Sequence, residues 1–146
     1  MISIAVILRD KGSRVVSVGA LDELGMVART LAENRIGAVL VRDDAGDVLG
    51  IVSERDIVRA LAEHGADAAL VQAAQIMTRS LHTVTPRSRV TEALAMMTDR
   101  RVRHLPVLEE DGSLVGMVSI GDLVKARIAD AVQEVEELRH FVEGSG

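Results

Sequence analysis

An internal echo constrains this chain more than any other feature. Gly50-Ile51-Val52-Ser53-Glu54-Arg55-Asp56-Ile57-Val58 returns 66 residues later as Gly116-Met117-Val118-Ser119-Ile120-Gly121-Asp122-Leu123-Val124. Without a gap, residues 14–61 align with residues 80–127. Ten of the 48 positions are identical, and seven of the ten lie between residues 46 and 60. Self-similarity of this length is the mark of one supersecondary unit built twice. The identities include Gly, Ser and Asp as well as Val, so a polar site is expected to be duplicated along with the core.

The chain has 146 residues, the length of one ordinary domain. A repeat of roughly 60 residues is marginal alone, because it buries only about 60% of its surface. One core shared by both halves is therefore expected. Phe141 is the only aromatic, so that core must be Val, Leu, Ile, Ala and Met. A net charge of −5 without stacking rings argues against nucleic acid. No cysteine is present, which excludes disulfides, thiolate zinc sites and a Cys nucleophile. Met1 to Leu8 is apolar, but Arg9-Asp10-Lys11 follows at once. That run is too short to span a membrane or to serve as a signal peptide. A cytoplasmic location with no membrane partner is expected.

Each repeat reads as strand, helix, strand, turn, strand, helix. In the first, Val15 to Val18 is a short apolar run fit for a buried strand. Leu24, Val27, Ala28 and Leu31 mark a helix from about Asp22 to Asn34. Gly25 costs that helix about 1 kcal/mol relative to Ala. Ala38 to Arg42 and Val48 to Val52 flank Asp43-Asp44-Ala45-Gly46-Asp47, a hairpin turn by its chemistry. A helix from Glu54 to about Glu63 follows, stopped by His64-Gly65. The second repeat places a first strand at Leu81 to Val84, cut off by Pro86, and a helix around Val90, Ala93, Leu94 and Met97. Strands at Leu105 to Leu108 and Leu114 to Val118 flank Glu109 to Gly112, and the last helix starts after Ser119. Residues 65–79, with one Gly and no Pro, predict a short helix between the repeats. Residues 4–10 predict another before the first. Gly144-Ser145-Gly146 reads as a frayed end.

Ser-x-x-Asp at a strand-to-helix junction is first a capping box. The Ser side chain accepts from the amide three residues on, and the Asp reaches back to the Ser amide. Alone, such a pattern is a cap far more often than a ligand site. The same geometry also suits a nucleotide. A helix N-terminus favours phosphate, and a carboxylate one turn in can accept ribose hydroxyls. Strand and helix recur together with the preceding Gly intact, which lifts the second reading.

The strand-Gly-h-h-Ser-x-x-Asp element, with Arg101-Val102-Arg103-His104-Leu105-Pro106-Val107, resembles a CBS domain. Two in tandem resemble a Bateman module, the regulatory unit named after cystathionine β-synthase. The resemblance covers about residues 4–127. It implies an α/β fold of two tandem repeats (strand-helix-strand-strand-helix) packed pseudo-symmetrically. The repeats are expected at 1–66 and 67–127, with a helical extension at 128–146. Members of this family bind AMP, ADP, ATP, S-adenosylmethionine or NAD in a cleft between repeats, and many pair into dimers. Carried over by position, the resemblance implies two sites. One joins Ser53 and Asp56 to Thr83, Val84, Arg103, His104 and Pro106. The other joins Ser119 and Asp122 to Ser17, Val18, Ile36, Gly37 and Ala38. Asp56 and Asp122 are expected at ribose hydroxyls, and Ser53 and Ser119 near phosphate.

Repeat one departs from the family pattern. Ala38-Val39-Leu40-Val41 lacks the proline that Pro106 supplies, and Gly19-Ala20 stands where Thr85-Pro86 stands. Two sites of unequal affinity are expected, the Ser53 site the better for a phosphorylated ligand. Arg55, Arg103 and His104 could surround that phosphate. Arg100 and Arg101 read as a solvated helix end. With no Trp or Tyr, a purine has to lie between aliphatic chains such as Val18, Ile36, Val84 or Val102. His64, His82 and His140 show no metal spacing.

Beyond the repeat, Val124, Ile128, Ala131, Val135, Leu138 and Val142 recur at steps of 4 and 3, flanked by Glu134, Glu136, Glu137 and Arg139. This is a heptad seam, either an amphipathic helix lying on its own domain or an interface. The expected function is a non-enzymatic sensor of adenine nucleotides or adenosyl ligands that signals to a protein effector as a homodimer. No catalytic residue, metal or obligatory cofactor is expected. The alternatives are a structural dimerisation module with vestigial sites, and a nucleotide hydrolase, for which no activated nucleophile or paired carboxylates are found.

Overall fold

A computed structural model describes residues 2–145, apart from the Ser145 side chain. Met1, in the apolar start, and Gly146, in the expected frayed end, fall outside the described residues. The elements in chain order are α1 (Ile4–Lys11), β1 (Ser17–Gly19), α2 (Leu24–Asn34), β2 (Ala38–Arg42), β3 (Val48–Ser53) and α3 (Glu54–His64). A 3-10 turn (Gly65–Leu70) and α4 (Ala73–Ile76) follow, then α5 (Val90–Arg100), β4 (His104–Leu108), β5 (Leu114–Ser119) and α6 (Ile120–Ser145). Both helices expected outside the repeats, α1 and α4, are present.

Each repeat is organised on one hairpin. β2 and β3 run antiparallel with Ala38 opposite Ser53, and β4 and β5 do the same with His104 opposite Ser119. The turns close alike: Gly46 donates to Asp43 O at 2.9 Å, and Gly112 donates to Glu109 O at 2.9 Å. Gly46 and Gly112 hold φ of 88° and 86°. That conformation penalises a Cβ, so this identity between the repeats is conformational.

The chain divides in space differently from the way it repeats. One compact unit is Arg14–Leu81; the other joins the residues up to Ser13 with those from His82 onward. The segment before each repeat thus packs on the other repeat. Leu24 N donates to Val71 O at 2.8 Å, Ala73 N to Asp22 O at 2.8 Å and Ala74 N to Ala20 O at 2.9 Å. In the other unit Val90 N donates to Ile2 O at 3.1 Å, Ile4 N to Ser88 O at 2.9 Å and Ala5 N to Pro86 O at 2.9 Å. The expectation of one shared core gives way to two apolar clusters. Val18, Leu24, Val27, Leu31, Val39, Val41 and Val52 centre one. Ile4, Leu8, Val90, Met97, Leu105, Val107, Val118 and Leu123 centre the other. The borrowed segment supplies each repeat with the extra layer it lacks alone.

The strand expected at Leu81 to Val84 is reduced to a single parallel bridge, Val84 to Val107. Its counterpart β1 pairs with β2 over three residues, Ser17 to Gly19. The cause is Pro106. Leu40, its equivalent, donates to Val16 O at 3.4 Å, and a proline has no N–H to give. The remaining bonds are Val84 N to Pro106 O at 3.1 Å and Leu108 N to Val84 O at 2.9 Å.

Candidate functional site

Ser53 ends β3 and caps α3. Its Oγ accepts from Asp56 N at 3.3 Å, and Asp56 Oδ2 accepts from Ser53 N at 2.9 Å and Ser53 Oγ at 3.1 Å. Asp56 is only 6% exposed. Its other oxygen takes the Thr78 hydroxyl at 3.3 Å and faces Arg59 Nη1 at 3.6 Å. Ser119 and Asp122 repeat the box: Asp122 N donates to Ser119 Oγ at 3.2 Å, and Ser119 N donates to Asp122 Oδ2 at 2.9 Å. Here the carboxylate also receives Lys11 Nζ, from α1, at 2.7 Å. Burial pushes the Asp122 carboxyl up, but the bonds from Lys11 and Ser119 outweigh it and hold the group below its ordinary range.

The glycine of the motif answers to the borrowed segment. A Cβ on Gly50 lies 2.8 Å from Met77 Sδ and 2.8 Å from Thr78 O, and one on Gly116 lies 2.8 Å from Leu8 Cδ2. Only a bare backbone lets these segments come so close to β3 and β5, and so brings Thr78 and Lys11 to the two carboxylates.

Further residues are gathered inside each unit. Glu54 N donates to Gly37 O at 2.9 Å, and Ile120 N donates to Arg103 O at 2.8 Å. The first unit therefore brings Gly37 and Ala38 against Ser53, with Ser17 and Val18 on the neighbouring strand. Ile36 and Gly37 line an open groove of about 460 Å³ with Leu31, Arg35, Ile57 and Val58. The second unit brings Arg103 and His104 against Ser119, with Thr83, Val84 and Pro106 alongside. The cross-repeat grouping expected from sequence joins residues of different units, whereas each unit by itself collects its own. Val18, Ala38, Val84 and Pro106 are buried in their units, so they offer backbone groups rather than side chains. Ile36 and Val102 are half-buried at the core edges. In each helix the first and third amides are engaged, so a phosphate cannot rely on them.

Sequence reasoning missed Lys11 and Thr78, because the 66-residue offset sets Lys11 against Met77 and not against Thr78. It also missed Arg35, and it placed Arg101 at a helix end without its backbone conformation. Both terminate helices in the left-handed region, at φ 54° and 55°. Their identity in the repeat alignment was the available signal. Among the described residues no group of three or more His, Asp or Glu could hold a metal, and no helix is long and apolar enough to cross a membrane.

The family model for the CBS domain matches residues 8–63 and again 73–129. The chain belongs to the CBS-domain family. A CBS-domain containing protein from Agrobacterium tumefaciens, ATU1752, is 42% identical, with a TM-score of 0.83 over 86% of this chain and 92% of that one. The CBS domain protein PAE2072 from Pyrobaculum aerophilum, solved as a complex with AMP, is 31% identical, with a TM-score of 0.73 over 83% of this chain and 89% of that one. The mitochondrial CBS domain-containing protein CBSX3 of Arabidopsis thaliana is 34% identical over 120 residues, 80% of this chain. The chain spans 58% of that relative's length. The mixed α/β architecture of two repeats is that of a CBS pair.

Proposed function

We propose that this CBS pair is a non-catalytic regulatory module that binds an adenine nucleotide or another adenosyl ligand and signals to a protein effector. Asp56 and Asp122 hold ribose hydroxyls in this reading. Ser53 and Ser119 lie toward the phosphate or its replacement, and Arg103 and His104 supply charge. Thr83, Val84, Pro106, Ser17, Val18, Ile36, Gly37 and Ala38 furnish the backbone and aliphatic surfaces for the base. The observation that carries the proposal is the duplicated junction, in which a carboxylate is held at fixed geometry beside a strand end in both units. The AMP complex of the Pyrobaculum relative supports the choice of ligand class. Candidate ligands are AMP, ADP, ATP, NAD and S-adenosylmethionine. The module acts as a homodimer in the cytoplasm and transmits ligand binding by a shift between two arrangements.

Calorimetry with these five ligands tests the proposal on the wild type and on Asp56→Ala combined with Asp122→Ala. Binding by the wild type and loss in the double variant is expected. Unchanged affinity in the double variant removes these carboxylates from the site. The capping boxes favour a second reading, a structural module whose Ser and Asp only terminate helices. It predicts no binding by the wild type, and lower stability as the sole effect of Ser53→Ala and Ser119→Ala. Product formation from ATP and a divalent metal overturns the non-catalytic assignment.

A further inference from the structure

The last helix carries an apolar stripe on a face that its own unit does not use. α6 packs through Leu123, which is fully buried, and Ala126, which lies on the same core. Val124, Ile128, Val135 and Leu138 lie on another face and are 42%, 59%, 56% and 65% exposed. At 26 residues the helix is about 39 Å long. Every described side chain from Val132 to Gly144 is exposed. Isolated helices of about 12–15 residues are marginal in water, so this half of α6 needs a partner along its stripe.

Both the composition and the charges of the stripe specify that partner. In heptad terms Ile128, Val135 and Val142 occupy a, and Val124, Ala131 and Leu138 occupy d. β-branched residues at a, with Leu at a d position, favour two parallel strands. Glu134 falls at g and Arg139 at the following e, the pair that meets between chains in a parallel coil. Among the described residues, neither side chain has a hydrogen-bond or ion-pair partner. The antiparallel alternative, with the same apolar layers in register, sets Glu134 against the partner's Glu134 and Arg139 against the partner's Lys125. We infer that α6 pairs with α6 of a second copy as a short parallel coiled coil in register, with reciprocal Glu134–Arg139 ion pairs. Arg127, at g, lays its aliphatic stem over Val132 at e of the other copy. The inference gives the proposed homodimer its seam and does not depend on ligand binding.

The chain has no cysteine, so single thiols report the pairing cleanly. In the full chain, Val135→Cys is expected to oxidise to a covalent dimer, because parallel symmetry sets each a residue against itself. Gln133→Cys, on the outer face, is expected to stay uncrosslinked. Sedimentation equilibrium is expected to show a dimer weakened several-fold by Glu134→Arg and restored by Glu134→Arg with Arg139→Glu. A dimer not weakened by Glu134→Arg shows antiparallel pairing, in which like charges face each other before and after the change, and overturns the inference. A dimer by mass with no excess crosslinking of Val135→Cys also overturns it, but leaves the homodimer standing on another surface. A monomer overturns both and assigns the stripe to a different protein.

Discussion

Lys11 Nζ lies 2.7 Å from Asp122 Oδ2 and 3.1 Å from Met117 O. One ammonium thereby does what Thr78 does with two groups, its hydroxyl meeting Asp56 at 3.3 Å and its amide meeting Ile51 O at 2.8 Å. Met117 and Ile51 are equivalent in the two repeats, as are Asp122 and Asp56. Asp56 faces Arg59 only at 3.6 Å, so the twin junctions differ in the ammonium hydrogen-bonded directly to the second carboxylate.

That charge should set ligand preference. Lys11 competes with ribose hydroxyls for Asp122 and, once displaced, can pair with a phosphate. Lys11→Met is expected to favour uncharged adenosine over AMP relative to the wild type. The ratio of the two dissociation constants, read by calorimetry, should shift by on the order of tenfold, the worth of a charged hydrogen bond. An unchanged ratio removes Lys11 from ligand selection.

The same pair predicts acid sensitivity. Asp122 titrates below its ordinary value in the folded chain. A depressed carboxylate contributes stability above its unfolded pKa, about 3.9, and loses it as pH falls through the folded value. Denaturation midpoints of the wild type should fall below about pH 4 more steeply than those of Lys11→Met. Parallel curves contradict the linkage.

The motif glycines should not be equivalent. Gly50→Ala drives a Cβ into a backbone carbonyl, whereas Gly116→Ala meets the end of a leucine side chain that can turn aside. A loss of about 1–3 kcal/mol is expected for Gly50→Ala, and less for Gly116→Ala. Urea melts of both variants decide the order.

Arg35→Gly and Arg101→Gly should stabilise their units. Each native residue holds a left-handed conformation that costs a side chain about 1–2 kcal/mol. A drop in melting temperature for either variant shows that the side chain contributes more than its backbone costs.

The purified chain should also report its own ligand. With no Trp, Tyr or Cys it barely absorbs at 280 nm. A band near 260 nm that disappears on unfolding and gel filtration is expected where nucleotide co-purifies. A nucleotide-free protein whose melting temperature does not rise with any adenosyl ligand counts against the proposed function.

The hairpins and every helix were legible, because period and turn chemistry are local and the duplication reads each of them twice. The exchange of α1 and α4 between repeats was not, since both are short helices whose partners lie far along the chain. Pro106 was noticed as a difference between the repeats, yet its effect on the Leu81 to Val84 strand depends on which donor it removes. Ser53 and Asp56 could be named from spacing, and their capping bonds followed. Lys11 could not, because a long side chain reached the site from outside the repeat register.

The exchange of segments orders the birth of the protein. Everything the Arg14–Leu81 unit needs is contiguous and can close while synthesis continues. The other unit needs α1, made before that unit, and α6, made after it, and the bond between Lys11 and Asp122 spans 111 residues. The first helix must wait through the making of a whole foreign unit before its own partners exist. Non-local closure of this kind is slow and exposes apolar surface meanwhile, and Ile4, Ile7 and Leu8 have their buried partners outside α1 only among residues from Val84 onward.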